Sequence, residues 1–304
     1  MASGFDDFAV KRVVFDDSLC QTGVWRDVTA GGHADLARYH RFVDRPQSAP
    51  IPISAVLITL DAEQWLEKVL APLEGCNEIL ILDSGSTDRT RAIAEGAGAV
   101  WFEQDFAGYG PQKRRAVELA SHDWILSVDA DEILDVETVA ALQAMDWRSL
   151  DPHLCFSIRR RPFVGEREIR HGHWVPDPVV RVFNRRVHNF TDAPVHESVV
   201  ATGAVRRLPG AMAHHSHQDL AEIFRLDYHR LKAAEYRRRG RRIPGVASLA
   251  FRAAWAFAYS LVLRRGMLDG RAGLVIALSA AVNAVLGLAL AGEKAQGSDR
   301  DSQS

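Results

Sequence analysis

The chain has 304 residues, 47% hydrophobic and 25% charged, apolar enough to bury a full core and long enough for one large domain with appendages. A formal net charge of -2 gives no general reason to expect a nucleic-acid partner, although the basic residues are unevenly placed. Cys20, Cys76 and Cys155 are odd in number, far apart and without metal-ligand spacing, which argues against a disulfide framework and for reduced thiols in the cytoplasm.

The start, M-A-S-G-F-D-D-F-A-V-K-R, carries early acids and no apolar run of signal-peptide length, so export is not expected. Residues 1-50 read as an N-terminal extension that ends in a linker, R-P-Q-S-A-P-I-P. From Ile53 a regular alternation begins. Ile53 to Thr59 predicts a strand, and the apolar spacing of Trp65, Leu66, Val69, Leu70 and Leu73 predicts a helix over 63-73. Strands follow at 78-82, 100-102 and 123-128, with helices through Ile93 and over 111-120. The first of these helices is capped by Thr87 or Asp88. Strand and helix in alternation call for a mostly parallel sheet with right-handed crossovers, an α/β fold.

The chemistry gathers where two strands stop. W-I-L-S-V-D-A-D-E (Trp124 to Glu132) is a buried-strand pattern ending in Asp129, Asp131 and Glu132. Carboxylates at the C-terminal edge of such a sheet lie where ligands bind, and oxygen-only ligation suits magnesium or manganese held together with phosphates. Asp83, followed by Ser84-Gly85-Ser86, ends an earlier strand, and a carboxylate there can accept hydrogen bonds from a ribose or a base edge. Helix capping and a simple turn are the ordinary alternatives for each, but their joint occurrence describes a site for a nucleotide diphosphate.

I-T-L-D-A-E (58-63), L-D-S-G-S-T-D-R-T (82-90), G-P-Q-K (110-113) and S-V-D-A-D-E (127-132) resemble the family 2 glycosyltransferases of GT-A fold. H-G-H-W-V-P-D (171-177), R-V-F-N (181-184), V-H-E (195-197) and R-R-G-M-L-D-G-R-A-G (264-273) make the chain similar to the branch containing bacterial lipopolysaccharide-core β-glucosyltransferases. The resemblance implies an inverting transfer of a sugar, glucose or a similar hexose, from a UDP-sugar to a cell-envelope glycan, with magnesium or manganese. It implies donor binding by Thr59, Asp83, Ser84, Lys113 and Asp129, and a metal held by Asp131, with His214 a further ligand. Glu197 is the first candidate for the base that inversion requires and Asp177 the second; either could instead be structural, paired with Arg181 or Arg170. Asp61 stands where the pattern has Asn, and Arg114 follows Gln112-Lys113 where Asn is common. A zinc site built from His214, His215 and His217 is the rival metal reading. A polyprenyl-phosphate sugar synthase, a nucleotidyltransferase and a non-catalytic nucleotide-sugar-binding protein are the alternative functions.

On this reading residues 51-217 form the catalytic domain, 218-292 a helical membrane-associated region and 293-304 a polar tail. Leu220, Ile223, Phe224, Tyr228 and Leu231 mark one helix face that runs into the basic cluster Arg237 to Arg242. Val246 to Leu263 and Ala272 to Gly292 are apolar, the second long enough to span a bilayer. Arg252 makes deep insertion of the first stretch costly, and the basic cluster can meet anionic lipid phosphates. The expected location is therefore the cytoplasmic face of the inner membrane, peripheral, or integral through 272-292.

Overall fold

The computed structural model describes residues 50-192, 197-224 and 226-293. The N-terminal extension before Pro50 and the tail beyond Glu293 lie outside the described residues. The chain divides into two compact units, Met1–Arg159 with Pro178–Met212, and Arg160–Asp177 with Ala213–Ser304.

The first unit is built on parallel strands. β1 (Ile51–Thr59) and β2 (Cys76–Asp83) pair in parallel, β3 (Val100–Glu103) joins β2, and β4 (Trp124–Ser127) joins the other side of β1. The central strands are buried on both faces, which is why they read as unbroken apolar runs. Their alternation feeds two layers of core. Ile53, Ala55, Leu57 and Ile81 pack on one side with Leu66, Val69 and Leu70 of helix α1 (Leu66–Leu70). Val56, Leu80, Leu82 and Ile125 pack on the other with Ala116 and Val117. Those two residues belong to α3 (Tyr109–Leu119), which follows α2 (Thr90–Gly96). The helix expected over 63-73 is shorter: its last turn, Ala71–Leu73, tightens into a 3-10 helix at Pro72, which has no N–H for an α-turn.

Beyond β4 the sheet becomes mixed, with β8 antiparallel on β4, a change the sequence pattern did not announce. After β5 (Glu132–Leu134) and α4 (Val136–Gln143) come β6 (Cys155–Val164), the short β7 (Arg167–Glu168) and β8 (Asp177–Asn184). β8 lies antiparallel on β4 with Trp124 opposite Asn184 and Leu126 opposite Val182. β9 (Val205–Arg207) pairs with β6, and β10 (Met212–His217) follows. The second unit holds α5 (Leu226–Arg238), α6 (Val246–Ala258) with a π-helical extension Tyr259–Leu263, and α7 (Gly270–Gly292). Cys76 and Cys155 are free thiols, and burial pushes them up to about 12 and about 11.

The segment after the acidic stretch is locked by its cap. Asp135 accepts the Thr138 N–H at 2.9 Å, and its own N–H donates to the Ala211 carbonyl at 3.0 Å. Gly210, at φ +80, lets that backbone approach: a Cβ there would lie 2.5 Å from the Asp135 carboxylate and 2.6 Å from the Thr138 nitrogen. Gly210→Ala should therefore cost about 2–3 kcal/mol in urea unfolding. Gly98→Ala, at φ +70 with nothing within 4 Å, should cost about 1 kcal/mol. Equal losses would mean that the close approach at Gly210 contributes nothing.

Candidate functional site

The parallel register brings the ends of β1, β2 and β4 to one edge of the sheet. Thr59 stands opposite Asp83, and the Val128 N–H donates to the Val56 carbonyl at 3.1 Å, carrying β4 to the same edge. Asp83 is only 1% exposed. The Gly85 and Ser86 N–H groups donate to one of its oxygens at 2.8 and 2.7 Å, and the Thr59 and Ser86 hydroxyls to the other at 2.7 and 2.5 Å. Burial raises the pKa of this carboxyl, but those donors together hold it below the ordinary carboxylate value. A carboxylate offers about four acceptor positions, and loop donors take that number here, so Asp83 shapes the turn that any ligand at this edge would meet.

The neighbouring loop is tied to the same turn. Asp61 adopts φ +47, a left-handed backbone that Asp and Asn tolerate better than most residues. Its carboxylate accepts the Thr87 N–H at 2.8 Å while its own N–H donates to Ser86 Oγ at 2.8 Å. The departure from Asn therefore keeps the turn. Asp88 accepts from the Thr90 N–H at 2.9 Å and from the Glu63 N–H at 3.0 Å, joining the loops after β1 and β2.

At the end of β4 charges alternate in a buried chain. Lys113, reached from α3, lies 2.7 Å from Asp129 Oδ1 and 2.7 Å from Glu197 Oε1. Its side chain is 6% exposed, so it is a buried cation and not a solvated helix lysine. Burial pulls its pKa down, but Asp129 and Glu197 outweigh that and raise it, keeping it an ammonium. Arg181 of β8 reaches the other Asp129 oxygen at 2.6 Å and Glu132 at 2.5 Å. Glu132 is fully buried and accepts the Asp129 N–H at 3.1 Å, bracing the turn that presents Asp131. Fully buried Gln112 donates to Ser84 Oγ at 3.2 Å and to the Gln104 carbonyl at 3.1 Å. The G-P-Q-K helix start thus touches both strand ends: Gln112 the Asp83 turn, Lys113 the acidic one.

Within the first unit, then, Thr59, Asp83, Ser84, Lys113, Asp129, Asp131 and Glu197 are all placed at or beside this edge or linked to it. Asp177 and His214 belong to the second unit. The pairings foreseen for the two candidate bases differ from those observed: Glu197 pairs with Lys113, and Asp177 with Arg160 at 2.6 and 2.8 Å. Arg181 and Arg170 go to other acids. His215 stacks on Phe163 and His217 on Trp174, while strand alternation turns His214 to the opposite face, so the three do not converge on one ion. Among the described residues no group of three or more histidine, cysteine or acidic side chains forms a closed metal site. An open one needs less, since a cation shared with phosphates takes one or two carboxylates, oxygen donors of the kind Asp131 supplies, while both Asp129 oxygens are paired with Lys113 and Arg181.

Sequence reasoning missed Gln112 as a contact and underrated Arg181. The available signal was a lone arginine inside the apolar run V-V-R-V-F, a position that requires a buried counter-ion.

Removing that arginine tests the network. Arg181→Met removes the cation beside Asp129 and buried Glu132 and should cost about 3–5 kcal/mol in denaturant unfolding, and adding Glu132→Gln should recover part of it. Additive losses would contradict the coupling. Asp83 carries a pH signature. Its depressed folded pKa contributes stability that is present above the unfolded value of about 3.9 and lost as pH falls through the lower folded value. The stability gap between the parent and Asp83→Asn should accordingly be widest near neutral pH and narrow below about pH 4. A gap unchanged by pH would mean that the carboxylate's charge is immaterial.

Residues 54-207 match the family model described as Glycosyl transferase family 2. Over 251 residues the chain is 32% identical to the lipopolysaccharide core biosynthesis glycosyltransferase LpsC of Rhizobium meliloti (strain 1021), covering 78% of this chain and 90% of that protein. It is 29% identical over 154 residues to an uncharacterized glycosyltransferase of Rickettsia bellii (strain RML369-C), covering 49% of this chain and 52% of that one. Among solved structures it is similar to glucosyl-3-phosphoglycerate synthase from Mycobacterium tuberculosis, with 19% identity, a TM-score of 0.41, and coverage of 73% of this chain and 88% of that one. The family match across half of the chain, together with this identity to LpsC over most of both sequences, makes the chain a member of glycosyl transferase family 2.

Proposed function

We propose that this glycosyltransferase moves glucose or a similar hexose, with inversion, from a UDP-sugar to a lipopolysaccharide-core or other cell-envelope glycan at the cytoplasmic face of the inner membrane. The observation that carries the reading is the shared ammonium: Lys113 holds Glu197, the candidate base, a single cation away from Asp129 at the acidic strand end. Family membership supports sugar transfer, and the name of LpsC supports the class of acceptor.

In this reading the nucleotide lies along the Thr59, Asp83 and Ser84 turn, and the diphosphate faces Asp129, Asp131 and Lys113. Magnesium or manganese held by Asp131 together with the diphosphate would offset the charge growing on the leaving group. Glu197 takes the proton of the acceptor hydroxyl as its oxygen bonds to the anomeric carbon and the bond to the diphosphate breaks. Glu197 is preferred over Asp177 because Lys113 ties it to Asp129 at the acidic strand end, whereas Asp177 pairs with Arg160.

The test is release of nucleotide diphosphate from UDP-, GDP- and dTDP-sugars in the presence of a glycolipid extract, with and without magnesium or manganese. The expected outcome is metal-dependent turnover of a UDP-hexose that falls at least about a hundredfold in Asp131→Asn. Turnover that is indifferent to metal and to that substitution would remove the metal from the account; no donor consumed at all would remove the donor assignment.

A further inference from the structure

The second unit carries an apolar ridge that its own helices leave uncovered. Only 6% of the stretch Val246–Leu263 is buried, against 39% of the most apolar 18 residues within Gly266–Gly292. Phe251, Trp255, Tyr259 and Leu263 recur at helical spacing on α6 and its extension, and Met267 and Leu268 continue the ridge past the turn. Phe251 is 66% exposed, Trp255 56%, Leu263 61% and Leu268 63%, far more than a soluble helix packed on a core would leave in water.

Its charge is one-sided. Arg252, Arg265 and Arg271 are exposed along the same stretch. The one acid between Ile243 and Gly292 is Asp269, which is 5% exposed and turned inward, accepting the N–H groups of Arg170 and His171 at 3.2 and 2.8 Å. Between Ile243 and Gly292 the chain therefore offers an apolar ridge, a tryptophan and a tyrosine, flanking arginines and no exposed acid. That combination is complementary to the headgroup layer of an anionic bilayer.

The details favour lying flat over spanning. Arg252 interrupts the apolar run of α6, Arg264 and Arg265 follow its extension, and the backbone turns there with Arg265 at φ +57. α7, the longer apolar helix, is lined on its C-terminal half by charged partners. Gly287 packs on the Lys232 stem and the Tyr236 ring, and Arg237 donates to the Leu290 carbonyl at 2.8 Å.

We propose that α6 and the turn after it insert in the plane of an anionic lipid surface, with Phe251, Trp255 and Leu263 in the acyl boundary and Arg252 and Arg265 at the phosphates. This deepens the membrane location proposed above, and lipid binding is read without donor or acceptor, so its failure is separable from failure of the transferase reading.

The test is flotation of the full chain with phosphatidylglycerol–phosphatidylcholine vesicles and with phosphatidylcholine alone. The parent should float with the anionic vesicles and less with the neutral ones, and should lose binding as salt is raised. Phe251→Ser/Trp255→Ser and Arg252→Glu/Arg265→Glu should each weaken binding by about tenfold or more while keeping the parent's circular dichroism and UDP binding. Alkaline carbonate should strip the protein from bacterial membranes. Binding unaffected by either double variant, equal binding to neutral vesicles, or resistance to carbonate would each overturn the proposal. So would a dimer abolished by the apolar variant in a protein that ignores vesicles, since the ridge would then belong to a second copy.

Discussion

An ammonium group removed from water must find anions, and Lys113 finds two on different parts of the chain. Asp129 comes from the end of a central parallel strand, Glu197 from a segment nearly seventy residues further on, and each lies 2.7 Å from the nitrogen. Neither carboxylate could be withdrawn without leaving a buried cation short of a partner, which is far more costly than losing a surface pair. Arg181 repeats the arrangement one step deeper, between Asp129 and fully buried Glu132. The result is an ordered alternation of charge that fixes where the acidic turn can be. On the proposed reading, these charges would be set in place before substrate arrives, the condition under which fixed charges are most effective.

The parallel half of the fold was legible because each strand is an apolar run closed by polar turn residues, and each helix between them shows a clean period. The antiparallel half was not. β6 runs C-F-S-I-R-R-R-P-F-V, where three arginines interrupt the apolar pattern, and β8 contains Arg181 for reasons that exist only once Glu132 is folded beside it. Local pattern carries no information about a counter-ion about fifty residues away.

The same limit separates residues whose place at the sheet edge was readable from those whose place was not. Asp83, Asp129 and Asp131 stood out because acids at strand ends are conspicuous in sequence. Lys113 looked like an ordinary lysine near a helix start, and only its burial at the junction of two loops distinguishes it. Asp83 illustrates the converse: its position was readable, but its engagement by four loop donors was not, and those donors make it a builder of the turn as well as a candidate ligand contact. Gln112 has the same character, since its importance lies in reaching Ser84 across the crevice.

The central claim is that Glu197, held by Lys113, is the base of the transfer. The most direct measurement is kcat and KM for transfer from the preferred donor by the parent, Glu197→Gln and Asp177→Asn, with donor affinity measured separately. The account predicts that Glu197→Gln loses about a hundredfold to ten-thousandfold in kcat with donor affinity retained, and that Asp177→Asn keeps most of its rate. A Glu197→Gln variant that turns over normally while Asp177→Asn is inactive would contradict it.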